Sequence, residues 1–141
     1  MNPQVQIKLL NENAKLPTKA NESDAYYDVV ATSINHTERY IEYGLGFSSE
    51  FSEDMICHIF PRSSISNYDL IMANAPGTID SSYRGEWKVI LYNTSNDTFS
   101  FSIGQRIAQA IPERTTTEHF EFVDSLEESV RNEQGFGSSG T

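Results

Sequence analysis

Four of the six arginines lie in short segments that are otherwise rich in Ser, Gly, Asp and Gln. Arg62 falls in Pro61-Arg62-Ser63-Ser64, and Arg84 in the run Ala73 to Asn93 that contains GTIDSSYRGE. Arg106 falls in Gly104-Gln105-Arg106-Ile107-Ala108-Gln109, and Arg131 opens the tail RNEQGFGSSG. A guanidinium fork matches phosphate oxygens, hydroxyls add donors, and glycines let consecutive backbone N–H groups approach an anion. The chain as a whole carries a formal charge of −10. A general nucleic-acid surface needs a basic face to displace counterions, so no nucleic-acid partner is expected. The placement of the cations suits a small polyanion, and a nucleotide better than a polymer.

Singly, these residues are ambiguous. An aspartate beside a turn, such as Asp80, is commonly a cap, and Tyr83 alone reads as a core or turn tyrosine. A terminus carrying three glycines and one aromatic over residues 131 to 141 reads as a disordered tail. Cys57 has no second cysteine to pair with, and its neighbour His58 points to the opposite face of any strand. With His36 and His119 far away in sequence, no zinc-ligand spacing exists. Cys57 is therefore expected to be a small buried hydrophobe.

The elements that must position these groups read as strands. Alternating or nearly continuous apolar segments run through Val5, Ile7 and Leu9; Ile41, Tyr43, Leu45 and Phe47; Met55 to Phe60; Trp87 to Tyr92; Phe99, Phe101 and Ile103; and Phe120 and Phe122. Polar turn clusters separate them, and the only short helix expected lies around Ser64 to Asp69. Many short strands at close spacing predict a mostly β sandwich, jelly roll or barrel in one domain. Residues 1–124 are expected to form the β domain and 125–141 a C-terminal arm with a glycine-rich lid. The sequence contains no apolar run of the ~20 residues a membrane span needs and no signal-peptide pattern near its start, so no membrane partner and a cytoplasmic location (or host cytoplasm for a viral protein) are expected.

Together with Ala25-Tyr26-Tyr27-Asp28-Val29-Val30-Ala31, the four segments resemble, in order, the five motifs of the trimeric dUTPase family. The resemblance implies a jelly-roll-like β-fold of the β-clip type, assembled as a homotrimer with an exchanged C-terminal segment. It further implies hydrolysis of dUTP to dUMP and pyrophosphate, which keeps uracil out of DNA and supplies dUMP for thymidylate synthesis. By the same resemblance, Asp80 orients the attacking water and Gln109 binds phosphate and water. Arg62, Ser63 and Ser64 hold phosphate oxygens, while Arg106 supports the fold. Main-chain groups of the hairpin around Gly77 and Ile79, with the Asn74 side chain, read the uracil edge. Tyr83 packs under the deoxyribose and leaves no room for a 2′-hydroxyl.

In the tail, Phe136 stacks over uracil, Arg131 neutralises terminal phosphate charge, and Gly137, Ser138 and Ser139 cradle the γ-phosphate. Mg²⁺ is expected on the triphosphate and water with no direct protein ligand, Asp28 standing near its water shell. Tyr26, Ser64, Gln105, Asn132 and Gln134 depart from the family pattern, and Ser139 replaces a usual threonine. Two other readings stand beside this one: a dCTP deaminase relative, which needs a different base-reading arrangement, and a non-catalytic nucleotide-sensing module on the same fold.

Overall fold

The computed structural model describes residues 4–96, 100–116, 118–138 and 140. Its strands are β1 (Gln6–Leu9), β2 (Tyr27–Val30), β3 (Ser33–His36), β4 (Ile41–Gly44), β5 (Phe47–Glu50), β6 (Met55–Pro61), β7 (Leu70–Met72), β8 (Gly77–Asp80), β9 (Lys88–Asn93) and β10 (Arg106–Arg114). All pair antiparallel, in sheets ordered β2-β10-β6-β8, β3-β4-β9-β7 and β1-β5. Neighbours in space are mostly distant in sequence, the jelly-roll-like arrangement expected. The helical content among the described residues is one 3₁₀ turn, Ser63–Asn67, close to the short helix expected there.

Period-two patterning explains why these segments become strands. In β6, Met55, Cys57 and Ile59 are buried while Ile56, His58 and Phe60 alternate outward, and in β9 Val89 and Leu91 point in. Facing inward from the first four-stranded sheet are Val29, Cys57, Ile59, Ile79, Ala108 and Ala110; from the second come Tyr43, Leu70, Met72, Val89 and Leu91. Deleting a side chain such as the fully buried Ile59 costs about 2–5 kcal/mol through lost transfer energy and a residual cavity. Trp87 closes one end of this core, its indole N–H donating to Ser49 Oγ at 2.9 Å.

Three expectations about strands change. The run Ile41 to Phe47 is two strands, because Gly46 takes φ +75° and a Cβ there would stand 2.6 Å from Thr32 Oγ1. Phe101 is buried in a loop rather than a strand, its N–H donating to Tyr43 Oη and its ring packed edge-on to Tyr43 and Tyr68; Phe99 lies outside the described residues. Phe120 and Phe122 lie in no strand and are almost wholly exposed. Cys57 is buried as expected, and burial pushes its thiol up to about 11.

Candidate active site

The segment expected to form a hairpin is not one, since β8 pairs with β6, and β9 with β4 and β7 in the other sheet. This hairpin-like excursion between the sheets nevertheless builds one cavity. β8 and the turn that follows it enclose about 330 Å³ with Ile59, Asn74, Gly77, Asp80, Tyr83 and Lys88 among the walls. β8 is the edge strand of its sheet, so the backbone groups of Gly77–Asp80 not paired with β6 remain available to a ligand. The Ile79 side chain belongs to the core, leaving only its backbone to face the cavity. A Cβ at Gly77 would sit 3.3 Å from both Asn74 O and Ile59 Cβ, which explains the glycine there. Tyr83 N–H donates to Asp80 O at 3.1 Å to close the turn, and Tyr83 Oη donates to Glu86 O at 3.2 Å. Arg84 clamps the same turn, donating to Ser81 O at 2.6 Å and pairing with Glu50 at 3.3 Å. The Asp80 side chain is exposed and has no hydrogen bond or ion pair among the described residues.

Asn74 is committed differently from the expected uracil reading. Its Nδ2 donates to Lys88 O and its Oδ1 accepts from Ile90 N–H, both at 3.0 Å. The amide thereby acts as a surrogate strand partner for β9, leaving one Nδ2 hydrogen for anything else.

A second cavity, of about 310 Å³, gathers residues from three other segments: Tyr26 and Asp28 at β2, Arg62 and Ser63 after β6, and Arg106 and Gln109 on β10. Arg62 Nε donates to Asp28 Oδ1 at 3.0 Å and Arg106 Nη1 to Asp28 Oδ2 at 3.2 Å. One part-buried carboxylate thus fixes two guanidinium groups. Gln109 Nε2 donates to Pro61 O at 3.1 Å, which leaves its second N–H to donate to an anion and its carbonyl oxygen to accept from water. Ser64 Oγ accepts a long 3.5 Å contact from Arg62 Nη1. Asp24 also lines this cavity, so two arginines face two aspartates there. What makes it an anion pocket is its set of donors, the guanidinium N–H groups of Arg62 and Arg106, the Ser63 hydroxyl and the Gln109 amide, rather than net charge.

The register shows how far apart Asp80 and Gln109 lie. Asp80 pairs with Ile56 and Gln109 with Phe60 on opposite sides of β6. Four residues along a strand and two strand spacings put their Cα atoms roughly 16 Å apart. No described residue of the tail lines either cavity. From Glu118 onward every described residue is exposed except Gly135, including Arg131, Phe136, Gly137 and Ser138; Ser139 lies outside the described residues.

The dUTPase family model matches residues 12–140. A deoxyuridine 5′-triphosphate nucleotidohydrolase of Helicobacter hepaticus is 39% identical over 140 residues, covering 96% of this chain and 88% of that protein. The chain belongs to the dUTPase family. Another such nucleotidohydrolase, from Clostridium tetani, is 37% identical and covers 96% of each chain. Among solved structures, the dUTPase of Staphylococcus bacteriophage 80alpha with dUPNHPP superposes with a TM-score of 0.81 at 25% identity, over 98% of this chain and 99% of that one. A phage phi11 dUTPase variant, described for its coordination of a structural Mg(II) ion, matches with a TM-score of 0.74 at 19% identity over 89% of this chain and 99% of that one.

Departures from the dUTPase pattern have local explanations. Tyr26 packs edge-to-face on Phe60 with ring centroids 5.8 Å apart. Gln105 Oε1 accepts from Ser102 N–H at 3.1 Å, capping the turn that ends at Gly104 with φ +88°. Asn132 adopts φ 47°, a conformation asparagine tolerates better than most residues, and exchanges hydrogen bonds with Ser129. Gln134 closes a turn through its N–H to Arg131 O.

Sequence reasoning missed Glu86 and Lys88. The Glu86 carboxylate accepts from Gly46 N–H at 3.0 Å. Lys88 pairs with Glu42 at 3.0 Å, and that hydrogen bond and charge raise its ammonium above the ordinary lysine value. Both line the hairpin cavity. Their partners come from β4 and the glycine after it, so only strand register could reveal them. Among the described residues no helix is long and apolar enough to cross a membrane.

Proposed function

We propose that the chain hydrolyses dUTP to dUMP and pyrophosphate, with each active site assembled from more than one copy of a homotrimer. The observation that carries this reading is the division of the site: the uncommitted Asp80 carboxylate lines one nucleoside-sized cavity, Gln109 and the arginines line another, and the Cα atoms of Asp80 and Gln109 stand roughly 16 Å apart on the same chain. Reacting atoms must approach to about 3–3.5 Å. A hairpin from one copy and an anion pocket from another satisfy that demand, and the exposed arm, with Phe120, Phe122, Leu126 and Val130 uncovered, supplies a lid to a third surface.

In this reading the free edge of β8 presents main-chain donors and acceptors to uracil. Cytosine offers a donor where uracil offers an acceptor, and a mispaired buried site rejects it by ~10⁴ or more. The Tyr83 ring lies along the sugar. Asp80 accepts a hydrogen bond from water and aims it in line at the α-phosphorus. Arg62, Gln109 and, from the tail, Arg131 stabilise the charge that develops on phosphate oxygens. Ser63, Ser64 and the tail segment 137–139 complete the phosphate contacts, while Phe136 covers the base. The arm begins after β10, and residues 125–141 act as the lid.

The residues present fit Mg²⁺ carried by the nucleotide. Among the described residues no group of three or more His, Cys, Asp or Glu converges, and both Asp28 oxygens already accept from arginines. The ion would be held by phosphate oxygens and water, with Asp28 reaching only that water, and it would neutralise triphosphate charge. Incubating the purified chain with dUTP and Mg²⁺ and measuring pyrophosphate tests the reading. Release from dUTP but not from dCTP or dTTP is expected. No release from a preparation of proven trimeric mass would overturn it.

A further inference from the structure

We propose that Gly85 is a specificity-determining position: the absence of a side chain there is what lets the Tyr83 ring fold back across the chain and wall the sugar side of the cavity. The inference rests on the reading of Tyr83 as the sugar platform. At Gly85 the backbone itself does not demand glycine, since the positive-φ glycines are Gly46, Gly104, Gly137 and Gly140. The space demands it. A Cβ at position 85 would run into the Oη and Cζ atoms of Tyr83 and lie 2.9 Å from Cε1, all three nearest atoms belonging to that one ring.

Which partner yields can be read from what holds each. The backbone on the far side is anchored, because the Glu86 carboxylate accepts from Gly46 N–H, Trp87 N–H donates to Phe47 O at 3.0 Å, and the buried Trp87 indole donates to Ser49 Oγ. On the near side Arg84 is clamped to Ser81 O and Glu50. The Tyr83 ring is 43% exposed and held through Oη by one hydrogen bond, to Glu86 O. Any side chain at 85 therefore moves the ring, not the chain. A displaced ring opens the space beside the sugar that excludes a 2′-hydroxyl.

The test is a cycle of Gly85→Ala, Tyr83→Ala and the double variant, each checked for trimeric mass and assayed for kcat/KM on dUTP and on UTP. Gly85→Ala is expected to lower the dUTP-to-UTP preference at least about tenfold. Added to Tyr83→Ala, it should change that preference no further, because the ring it displaces is gone. Wild-type preference in Gly85→Ala with lost preference in Tyr83→Ala would overturn the inference and leave the sugar reading of Tyr83 standing. Wild-type preference in Tyr83→Ala would remove that reading and the inference with it. Should Gly85→Ala fail to fold, the double variant decides. Recovery of folding identifies the ring as the obstacle, whereas continued failure means the backbone itself requires glycine and the inference is wrong.

Discussion

Replacing Asp28 by Asn removes a charge and keeps the shape, which makes it a direct measure of what fixes the anion pocket. The wild-type carboxylate accepts from Arg62 at 3.0 Å and from Arg106 at 3.2 Å. Asp28 is 14% exposed and Arg62 26%, so their bond belongs with hydrogen bonds to charged groups at about 1.5–3 kcal/mol. Arg106 is 51% exposed, which brings its share down to the roughly 0.2–1 kcal/mol of surface pairs. Asparagine keeps one oxygen for one arginine and turns an NH₂ toward the other. A net loss of about 1.5–3 kcal/mol follows, which lowers Tm by roughly 4–12 °C at this chain length. Differential scanning calorimetry in phosphate-free buffer reads it. With the neutralising carboxylate gone and one guanidinium released, the pocket should then bind anions better, so added pyrophosphate should raise the Tm of Asp28→Asn by more than that of wild type. A Tm within about 1 °C of wild type, or equal pyrophosphate shifts, would refute the claim that Asp28 organises this pocket.

Three further outcomes are expected. Asp80→Asn should lose most turnover while dUTP affinity stays within about tenfold; retention of more than about a tenth of wild-type kcat removes Asp80 as the water-orienting group. Deleting residues 131–141 should leave a folded trimer of strongly reduced activity, and co-refolding it with Asp80→Ala should restore activity, since random mixing gives roughly a quarter of sites an intact aspartate and an intact lid from different chains. Mixed trimers that stay silent would show each site to be built within one chain. Stability should decline in alkali between about pH 9 and 11, because the unfolded Cys57 thiol ionises first while burial holds the folded one to about 11 and burial likewise raises the Tyr43 phenol. A denaturation free energy flat across that window would contradict it.

Much of the scaffold is legible in local pattern. The alternation in Met55 to Phe60 and Trp87 to Tyr92 specifies strands with one buried face, and both form the core as expected. Cys57, on the same face of its strand as Met55 and Ile59 and with no partner cysteine, has little to do but pack. Where local pattern misleads, a longer-range constraint takes over. Gly46 breaks an apolar run because Thr32 and Asn11 occupy the space beside it, and Phe101 is buried in a loop because Tyr43 and Tyr68 are there to receive its ring. The apolar residues of the arm pattern like a strand but stay exposed and pair with no strand among the described residues.

Residue types and their order were enough to determine that this protein is β-rich and that it carries the dUTPase motifs, because those properties reside in side-chain chemistry and period. Tertiary structure alone decided which groups are spent and which are free. Asn74 gives its oxygen and one N–H to β9 and keeps one N–H, and Gln109 gives one N–H to Pro61 O and keeps the other with its carbonyl oxygen. Asp80 and Gln109 lie four residues apart along β6 and on opposite flanks of it. Such facts depend on strand register, and register arises from many weak long-range pairings that no single segment encodes.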